Sequence, residues 1–455
     1  MLRGLCSRLD VRYPYLSTMA DAARITLAES VPLEERANTL IHQSVNEVSS
    51  SLQTRLVEEV KKLQEEGKMI GLQISVMSNG KSMANIAAGV LGTSNPRPVT
   101  PSTLFCVFSV SKAVLTIGVL RLLQEGKIGL DDKVAEHWPA FGTNGKSDIT
   151  IRHILTHQAG LANSFPENAT IETLCDFDVM VRFIEGASPG HSPGFMTQYH
   201  YLSYAWLCGG LIEQVTGQQY DAYLESILKD DLNLHIGGIP KDLCRNQLAI
   251  VTMEKQDQDK DVVKVHQDEE KSENGKEKKE AKHVLTKYRG KEQLLNPSVF
   301  NMMKVRQAKI PSANGHASAE ALASLFDSIL QPVGRVQIEH KASSPPLEAH
   351  IVNEAREFQP PPTSLSSEEA KLLSDGMSFG LGFQSHEFIF QDGAKARSIG
   401  HSGLGGSLVL ALPEAGLSVA IVTNQLSQKS HVRSRLLNCV FEEFGLKPPP
   451  SLQLY

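Results

Sequence analysis

A serine and a lysine lie one helical turn apart in the apolar stretch "LFCVFSVSKAVLTIGVL", residues 104–120. Positions i and i+3 share a helix face, so the amine of Lys112 is expected beside the hydroxyl of Ser109. A serine hydroxyl becomes a nucleophile when a base takes its proton. A desolvated lysine can be that base or can hold a neighbouring base in its anionic form. The alternative is an N-capping Ser109 and a snorkelling Lys112, and the rest of the sequence must decide between them.

Two tyrosines precede a second apolar stretch, in "PGFMTQYHYLSYAWLCGGLIEQVTG", residues 193–217. The pattern predicts a helix that follows Tyr199 and Tyr201 and ends at Gly217. A phenol acts as a base at neutral pH if its pKa falls by about 3 units, equivalent to about 4 kcal/mol. The ammonium group of Lys112 could provide much of that decrease in a dry site. The alternative is that both tyrosines pack and their hydroxyls are hydrogen-bonded.

A glycine-rich strand surrounds a histidine in "SIGHSGLGGSLVLALP", residues 398–413. Glycines in a strand indicate that another group approaches the backbone closely. The edge of this strand could supply one N–H of an oxyanion hole, and the backbone of Ser109 the other. For His401 alone, a structural histidine is the alternative.

Two further histidines, His153 and His157, are four residues apart on a predicted helix in "ITIRHILTHQAGL", residues 149–161. No carboxylate follows them with metal-ligand spacing. We therefore expect structural histidines here, no metal site and no cofactor.

Taken together and in this order, the motifs resemble those of the serine β-lactamase and penicillin-binding-protein superfamily, whose S-x-x-K signature begins a nucleophile helix. The resemblance is greatest to its carboxylesterases and class C-like β-lactamase-related proteins. It covers residues 60–455 apart from 254–292. It extends to three further segments, "LLQEGKIGLDDKVAEHWPAF", "IPSANGHASAEALASLF" and "MSFGLGF".

The resemblance implies a serine hydrolase that works through an acyl-enzyme. Ser109 would be the nucleophile, Lys112 its proton-relay partner and Tyr199 the general base, with Tyr201 as the rival for that role. His401 would stand where the family has the lysine of K-T-G. Substrate and oxyanion contacts would come from Tyr201, Ser402, Gly403 and the backbone of Leu404.

Two departures from the β-lactamase pattern favour an ester over a β-lactam. Tyr201 replaces the asparagine of Y-x-N, and His401 replaces a cationic lysine. The substrate is therefore expected to be a small-molecule ester, or an amide. A β-lactamase, a peptidase or a catalytically inactive scaffold is the alternative.

The order of predicted elements indicates an α/β (α+β) fold. An antiparallel sheet is built from N- and C-terminal strands and flanked by helices, and a helical subdomain is inserted between the two sets of strands. Predicted elements include a long helix over 31–67, a hairpin turning at Asn79-Gly80, a helix at 315–331, a loop at 341–366 and a closing helix at 427–446.

Composition bounds the remaining possibilities. The chain has 455 residues, of which 41% are hydrophobic and 21% charged, as is typical of a globular protein. Its net charge of −6 does not provide the excess of positive charge that nucleic-acid binding requires. The six cysteines are scattered, which favours reduced thiols and a cytoplasmic location, with a mitochondrial one as the alternative. No apolar run reaches membrane-spanning length. We expect an N-terminal extension over 1–60 and a hydrolase domain over 61–453. A charged, disordered insertion is expected at 254–292.

Overall fold

The computed structural model describes residues 41–43, 51–166, 168–228, 233–254, 296–330, 346–359, 378–427, 431–447, 449 and 452. The predicted insertion at 254–292, except Glu254, and the first 40 residues of the predicted extension lie outside the described residues. None of the described helices has the length and apolar character needed to cross a bilayer.

Fifteen strands are present in the described residues. They are β1 Ile41–Gln43, β2 Gly71–Ser78, β3 Lys81–Gly92, β4 Asn95–Pro98, β5 Phe105–Cys106, β6 Leu234–His235, β7 Thr252–Met253, β8 His316–Ala317, β9 Glu387–Phe390, β10 Lys395–Arg397, β11 Ile399–Ser402, β12 Leu408–Leu412, β13 Leu417–Thr423, β14 Gln425–Leu426 and β15 Leu446–Lys447.

The α-helices of the described residues lie mostly between β5 and β9. They are α1 Ser51–Glu65, α2 Val110–Gln124, α3 Val134–His137, α4 Ile151–Leu155, α5 Ile171–Cys175, α6 Phe177–Gly186, α7 Ser203–Thr216, α8 Tyr220–Ile227, α9 Met303–Arg306, α10 Ala319–Leu330, α11 Ala349–Arg356 and α12 His431–Glu443.

The main sheet joins the two ends of the chain, as predicted. Its strand order is β1-β3-β2-β13-β12-β11, with β4 paired to β3, and every pair is antiparallel. The N-terminal β2 is hydrogen-bonded to the C-terminal β13 from Leu72↔Thr423 to Ser78↔Leu417. Asn79 and Gly80 form the two-residue turn between β2 and β3, and both have positive φ, as such turns require. The predicted fold class is confirmed.

Alternating side chains of the sheet face two different helical layers. On β2, Leu72, Ile74 and Val76 pack in one cluster with α1 and α12. The opposite face carries α10, and beyond it the helical region is built around α2 and α7, both almost wholly buried. The edge strand β11 lies beside α2, so the sheet edge and the helical region meet where the motifs of interest lie.

Three local predictions are wrong. Ile41–Gln43, predicted as helix, is a strand paired to β3. The predicted loop at 341–366 contains α11, because Ile351, Val352 and Ala355 bury one apolar face. Helix α4 ends at Leu155, so His153 and His157 do not share a helix. The division into an extension over 1–60 and a hydrolase domain over 61–453 stays a prediction.

Candidate active site

Ser109 lies at the start of α2, where the resemblance implied a nucleophile helix. The preceding Phe108 has a φ of 49°, an unfavourable left-handed conformation for a bulky residue. Two hydrogen bonds stabilise this turn. The Val107 N–H donates to the Gly315 carbonyl at 2.9 Å, and the Ser111 hydroxyl donates to the Phe108 carbonyl at 2.6 Å. The hydroxyl of Ser109 caps no helix N–H and stays partly exposed, so it is available to a substrate.

The Lys112 amine is 3.0 Å from the Ser109 hydroxyl oxygen and is fully buried. It also donates to the Ser312 carbonyl at 3.1 Å. Among the described residues no carboxylate bonds to it, and burial alone lowers its pKa well below the usual value. A neutral amine beside the serine can accept a proton, whereas a snorkelling lysine would keep its ammonium group in water.

The structure brings Tyr199 into the same cluster. Its hydroxyl lies 3.5 Å from His401 Nε2, and the Ser109 side chain is close enough to oppose the effect of burial on the pKa of this phenol. The Lys112 amine is 4.9 Å from the centre of its ring. Burial raises the pKa of Tyr199 well above that of a free phenol. This is opposite to the decrease expected from the sequence, because the cost of burying the phenolate exceeds the stabilisation that its neighbours supply.

His401 is a buried, neutral acceptor on β11. Its Nδ1 is 2.7 Å from the Ser402 carbonyl oxygen, which only accepts, so Nδ1 carries the proton and Nε2 faces the Tyr199 hydroxyl with its lone pair. Burial lowers the pKa of His401 to about 3. The position that the family resemblance pairs with a cationic lysine is therefore uncharged in this protein.

The remaining predicted residues lie around this cluster. The ring of Tyr201 contacts that of Tyr199 edge-on, with centroids 4.7 Å apart, and 60% of Tyr201 is exposed. The Ser402 hydroxyl accepts from Arg433 at 3.4 Å, and its N–H donates to Gln384 at 2.8 Å. Tyr201 therefore lies at the solvent side of the phenol, whereas Ser402 is held by its neighbours.

Gly403 brings the end of β11 against the start of α2. A Cβ at this position would lie 2.4 Å from the Val107 carbonyl oxygen, so only glycine fits. In the described part of the chain, neither Ser109 nor Leu404 uses its backbone N–H in a hydrogen bond. Two unpaired donors beside a nucleophile are what an oxyanion hole requires.

Sequence reasoning did not place four residues in this cluster, namely His157, which it predicted to be structural, and His200, Ser312 and Phe379. The ring of Phe379 stacks on Tyr199 with centroids 5.7 Å apart, and the ring of His157 lies 4.9 Å from Tyr199. The Ser312 hydroxyl joins the loop before α10 to the start of α7, because it donates to the Leu202 carbonyl at 2.9 Å. His157, Ser312 and Phe379 lie in segments that the sequence analysis quoted, but their contacts with Tyr199 and Leu202 could not be predicted, since these partners are distant in sequence.

One group of described residues has the composition of a metal site, namely Asp132, Glu136 and His137 at the start of α3. Asp132 already accepts from the Gly129 N–H at 2.6 Å and is 2.9 Å from His137. These hydrogen bonds give Asp132 a structural role in the turn that precedes α3, which accounts for the grouping without a metal ion. The five described cysteines are all free thiols.

Comparison with known proteins agrees with this architecture. A family model described as Beta-lactamase matches residues 56–438, and the chain belongs to this family. "Esterase/beta-lactamase LipL" of Mycobacterium tuberculosis is 28% identical over 361 residues, 78% of this chain and 77% of that protein. "Protein flp" of Staphylococcus aureus is 30% identical over 164 residues, 35% of this chain and 33% of that protein.

Solved structures show the same fold. A penicillin-binding-protein homologue from Caulobacter crescentus has a TM-score of 0.66 at 24% identity, over 89% of this chain and 100% of that one. A family VIII carboxylesterase has a TM-score of 0.65 at 19% identity, over 89% and 99% of the two chains. EstA from Arthrobacter nitroguajacolicus Rue61a has a TM-score of 0.66 at 20% identity, over 89% and 98%.

Proposed function

We propose that the protein is a serine hydrolase that cleaves ester bonds through an acyl-enzyme on Ser109. The main support is the contact of 3.0 Å between the Ser109 hydroxyl and a fully buried Lys112 that has no carboxylate partner in the described residues. Burying the Lys112 amine in its neutral form lowers the stability of the fold. A role as the base for Ser109 accounts for a lysine at this position.

The first step is formation of the acyl-enzyme. The Ser109 oxygen attacks the ester carbonyl carbon while its proton passes to the Lys112 amine. The backbone N–H groups of Ser109 and Leu404 stabilise the oxyanion. The carbon–oxygen bond to the alcohol then breaks, and the leaving alkoxide takes a proton from the Tyr199 hydroxyl, which the Lys112 ammonium replaces. The net transfer moves the serine proton to the alcohol.

The second step returns the enzyme to its starting state. Water attacks the acyl carbon and gives a proton to the Lys112 amine, and the Ser109 oxygen leaves and recovers that proton. This scheme revises the expected roles. The raised pKa of Tyr199 keeps its proton in place for donation to an alkoxide, and the lowered pKa of Lys112 leaves its amine free to accept a proton. His401 accepts from the Tyr199 hydroxyl and orients it.

An ester is proposed in preference to a β-lactam because of the neutral His401. Its pKa of about 3 leaves no positive charge on this residue to meet the carboxylate of a β-lactam at neutral pH. The resemblance of this chain to a protein called an esterase/β-lactamase supports the same choice without excluding the second substrate class.

Ser109→Ala tests the nucleophile. We expect kcat/KM for p-nitrophenyl butyrate to fall by at least about 10³-fold, because the attacking atom is removed. Intact-protein mass spectrometry should show an acyl or fluorophosphonate adduct on the wild type and none on Ser109→Ala. Ser82→Ala, an exposed serine on β3, is the matched control and should retain both activity and adduct. Turnover that survives in Ser109→Ala would remove Ser109 from the mechanism.

Three substrates separate the alternatives. The proposal predicts faster turnover of a short-chain ester than of nitrocefin or a D-Ala-D-Ala peptide. The reverse order would assign a β-lactamase or a peptidase instead. A wild-type protein that takes up no fluorophosphonate at Ser109 would be the inactive scaffold.

A further inference from the structure

Two loops that are distant from each other in sequence come together beneath Tyr199. One is residues 156–161, after α4, and the other is residues 194–201, before α7. Backbone bonds join them, since Gln198 N–H donates to the His157 carbonyl at 2.9 Å and Gly194 N–H donates to the Gln158 carbonyl at 3.0 Å. The loop that carries the phenol is therefore held against the loop after α4.

Two histidine side chains complete this junction, one from each loop. His157 Nδ1 accepts the backbone N–H of His200 at 3.2 Å. His200 Nε2 accepts the backbone N–H of Leu161 at 3.2 Å. Each bond needs an unprotonated ring nitrogen, which only a neutral histidine provides. Each imidazole thus accepts a backbone proton from the opposite loop.

Burial keeps both imidazoles neutral. Both are fully buried, and burial lowers the pKa of His200 to about 4 and that of His157 well below the usual value. The proton of His200 is on Nδ1, which donates to the Gln198 carbonyl at 2.7 Å. Both residues flanking Tyr199 are therefore held by hydrogen bonds.

His157 also contacts the ring of Tyr199 directly, and its conformation lowers the stability of the fold. Its ring lies 4.9 Å from that of Tyr199 and 4.5 Å from that of Phe379. Its φ is 59°, in the left-handed region, and its buried Nε2–H has no hydrogen-bond partner among the described residues. Strain and an unpaired donor persist where surrounding interactions demand the conformation, which is common near functional sites.

We propose that His157 and His200 are positioning residues, which set the Tyr199 hydroxyl between Ser109 and His401 by accepting backbone N–H groups across the two loops. This inference rests on the proposed hydrolase function. It predicts that loss of the Nδ1 acceptor at residue 157 displaces the phenol and slows proton transfer, while substrate binding is retained.

The test compares His157→Leu with His157→Asn in the full chain, using p-nitrophenyl butyrate. His157→Leu fills the space without an acceptor, and we expect kcat to fall about 10²-fold with KM within about threefold. In His157→Asn the Oδ1 atom takes the place of Nδ1, and asparagine tolerates a left-handed backbone. We expect kcat within about fivefold of the wild type. Near-UV circular dichroism measures the folded fraction of each variant. Each kcat is divided by this fraction, so that unfolded protein does not count as lost activity.

His153→Leu is the matched control, because this half-buried histidine lies on the preceding helix and its Nδ1 accepts the Thr150 N–H at 3.1 Å. It should leave kcat within about twofold. The inference is wrong if folded His157→Leu keeps its kcat within threefold of the wild type, or if His157→Asn is as slow as His157→Leu. A purely structural role would lower the folded fraction of His157→Leu and leave the corrected kcat unchanged.

A second pair of variants covers the case in which His157→Leu does not fold. In His200→Gln the Oε1 atom can still accept the Leu161 N–H across the loops, whereas the shorter side chain of His200→Asn keeps only a donor for the Gln198 carbonyl. We expect His200→Gln to be the faster variant by about tenfold in kcat. Equal rates would overturn the inference. Acylation of wild-type Ser109 tests the proposed function separately, and its absence would overturn both.

Discussion

Lys112 and Lys146 are both fully buried, and they differ in what their amines bond. The Lys146 amine donates to three backbone carbonyls, those of Thr143, Glu185 and Ala187. Three acceptors match the three N–H groups of an ammonium ion. The Lys112 amine has one carbonyl acceptor and one hydroxyl, and a hydroxyl can also donate a proton to the lone pair of a neutral amine.

The nearby charges extend this difference. Burial lowers the pKa of Lys146, but the Glu185 carboxylate opposes the shift. Burial also lowers the pKa of Lys112, and nothing opposes it. Two lysines without exposed surface thus differ, because Lys146 lies nearer the surface and is a structural ammonium ion, whereas the deeper Lys112 is a candidate base beside Ser109. Depth and partners together decide the role, and the following predictions test this.

The largest expected effect is on activity, in Lys112→Met. Without the amine no base lies beside Ser109, so kcat/KM for p-nitrophenyl butyrate should fall about 10³-fold. The free energy of unfolding at pH 7 should stay the same or rise by on the order of 1 kcal/mol, because an apolar side chain replaces a desolvated amine. Ester kinetics and urea unfolding measure the two quantities. An active Lys112→Met would make Lys112 a structural lysine like Lys146.

The reciprocal change, Lys146→Met, should affect stability in place of activity. It leaves three carbonyls without their donor, so the free energy of unfolding should fall by about 3 kcal/mol, with kcat within about threefold. Urea unfolding measures the loss. Lys133→Met is the control, since Lys133 forms an exposed ion pair with Asp148 and its removal should matter little. A stability unchanged in Lys146→Met would show that its three carbonyl bonds are dispensable.

The smallest effect, taken per unit of pH, is on the pH dependence of stability. The pKa of Lys112 is lower in the folded state than in the unfolded chain, so between these two pKa values the unfolded state binds the extra proton. Stability from this group therefore rises with pH towards about 10, by at most about 1.4 kcal/mol per pH unit.

The measurement is urea unfolding of wild type and Lys112→Met between pH 7 and pH 10. The stability of the wild type should increase relative to that of Lys112→Met over this range. A constant difference between the two proteins would mean that folded Lys112 keeps its proton.

Much of the scaffold was predictable because its signals are local. The helical spacing of Ser109 and Lys112 and the Asn79-Gly80 turn depend on neighbours within a few residues. The family resemblance added the order of the motifs. Where a local pattern and a distant partner disagreed, as at Ile41–Gln43, the distant partner decided the conformation.

The sequence by itself determined which residue types were available for chemistry and which of them share a helix face or a strand. Only the tertiary structure decided their protonation states, because a pKa depends on burial and on charges contributed by residues remote in the chain. That is why Tyr199, expected as the base, has a raised pKa and Lys112 a lowered one. The same reason applies to His157 and His200, whose acceptors meet only when two separate loops pack together.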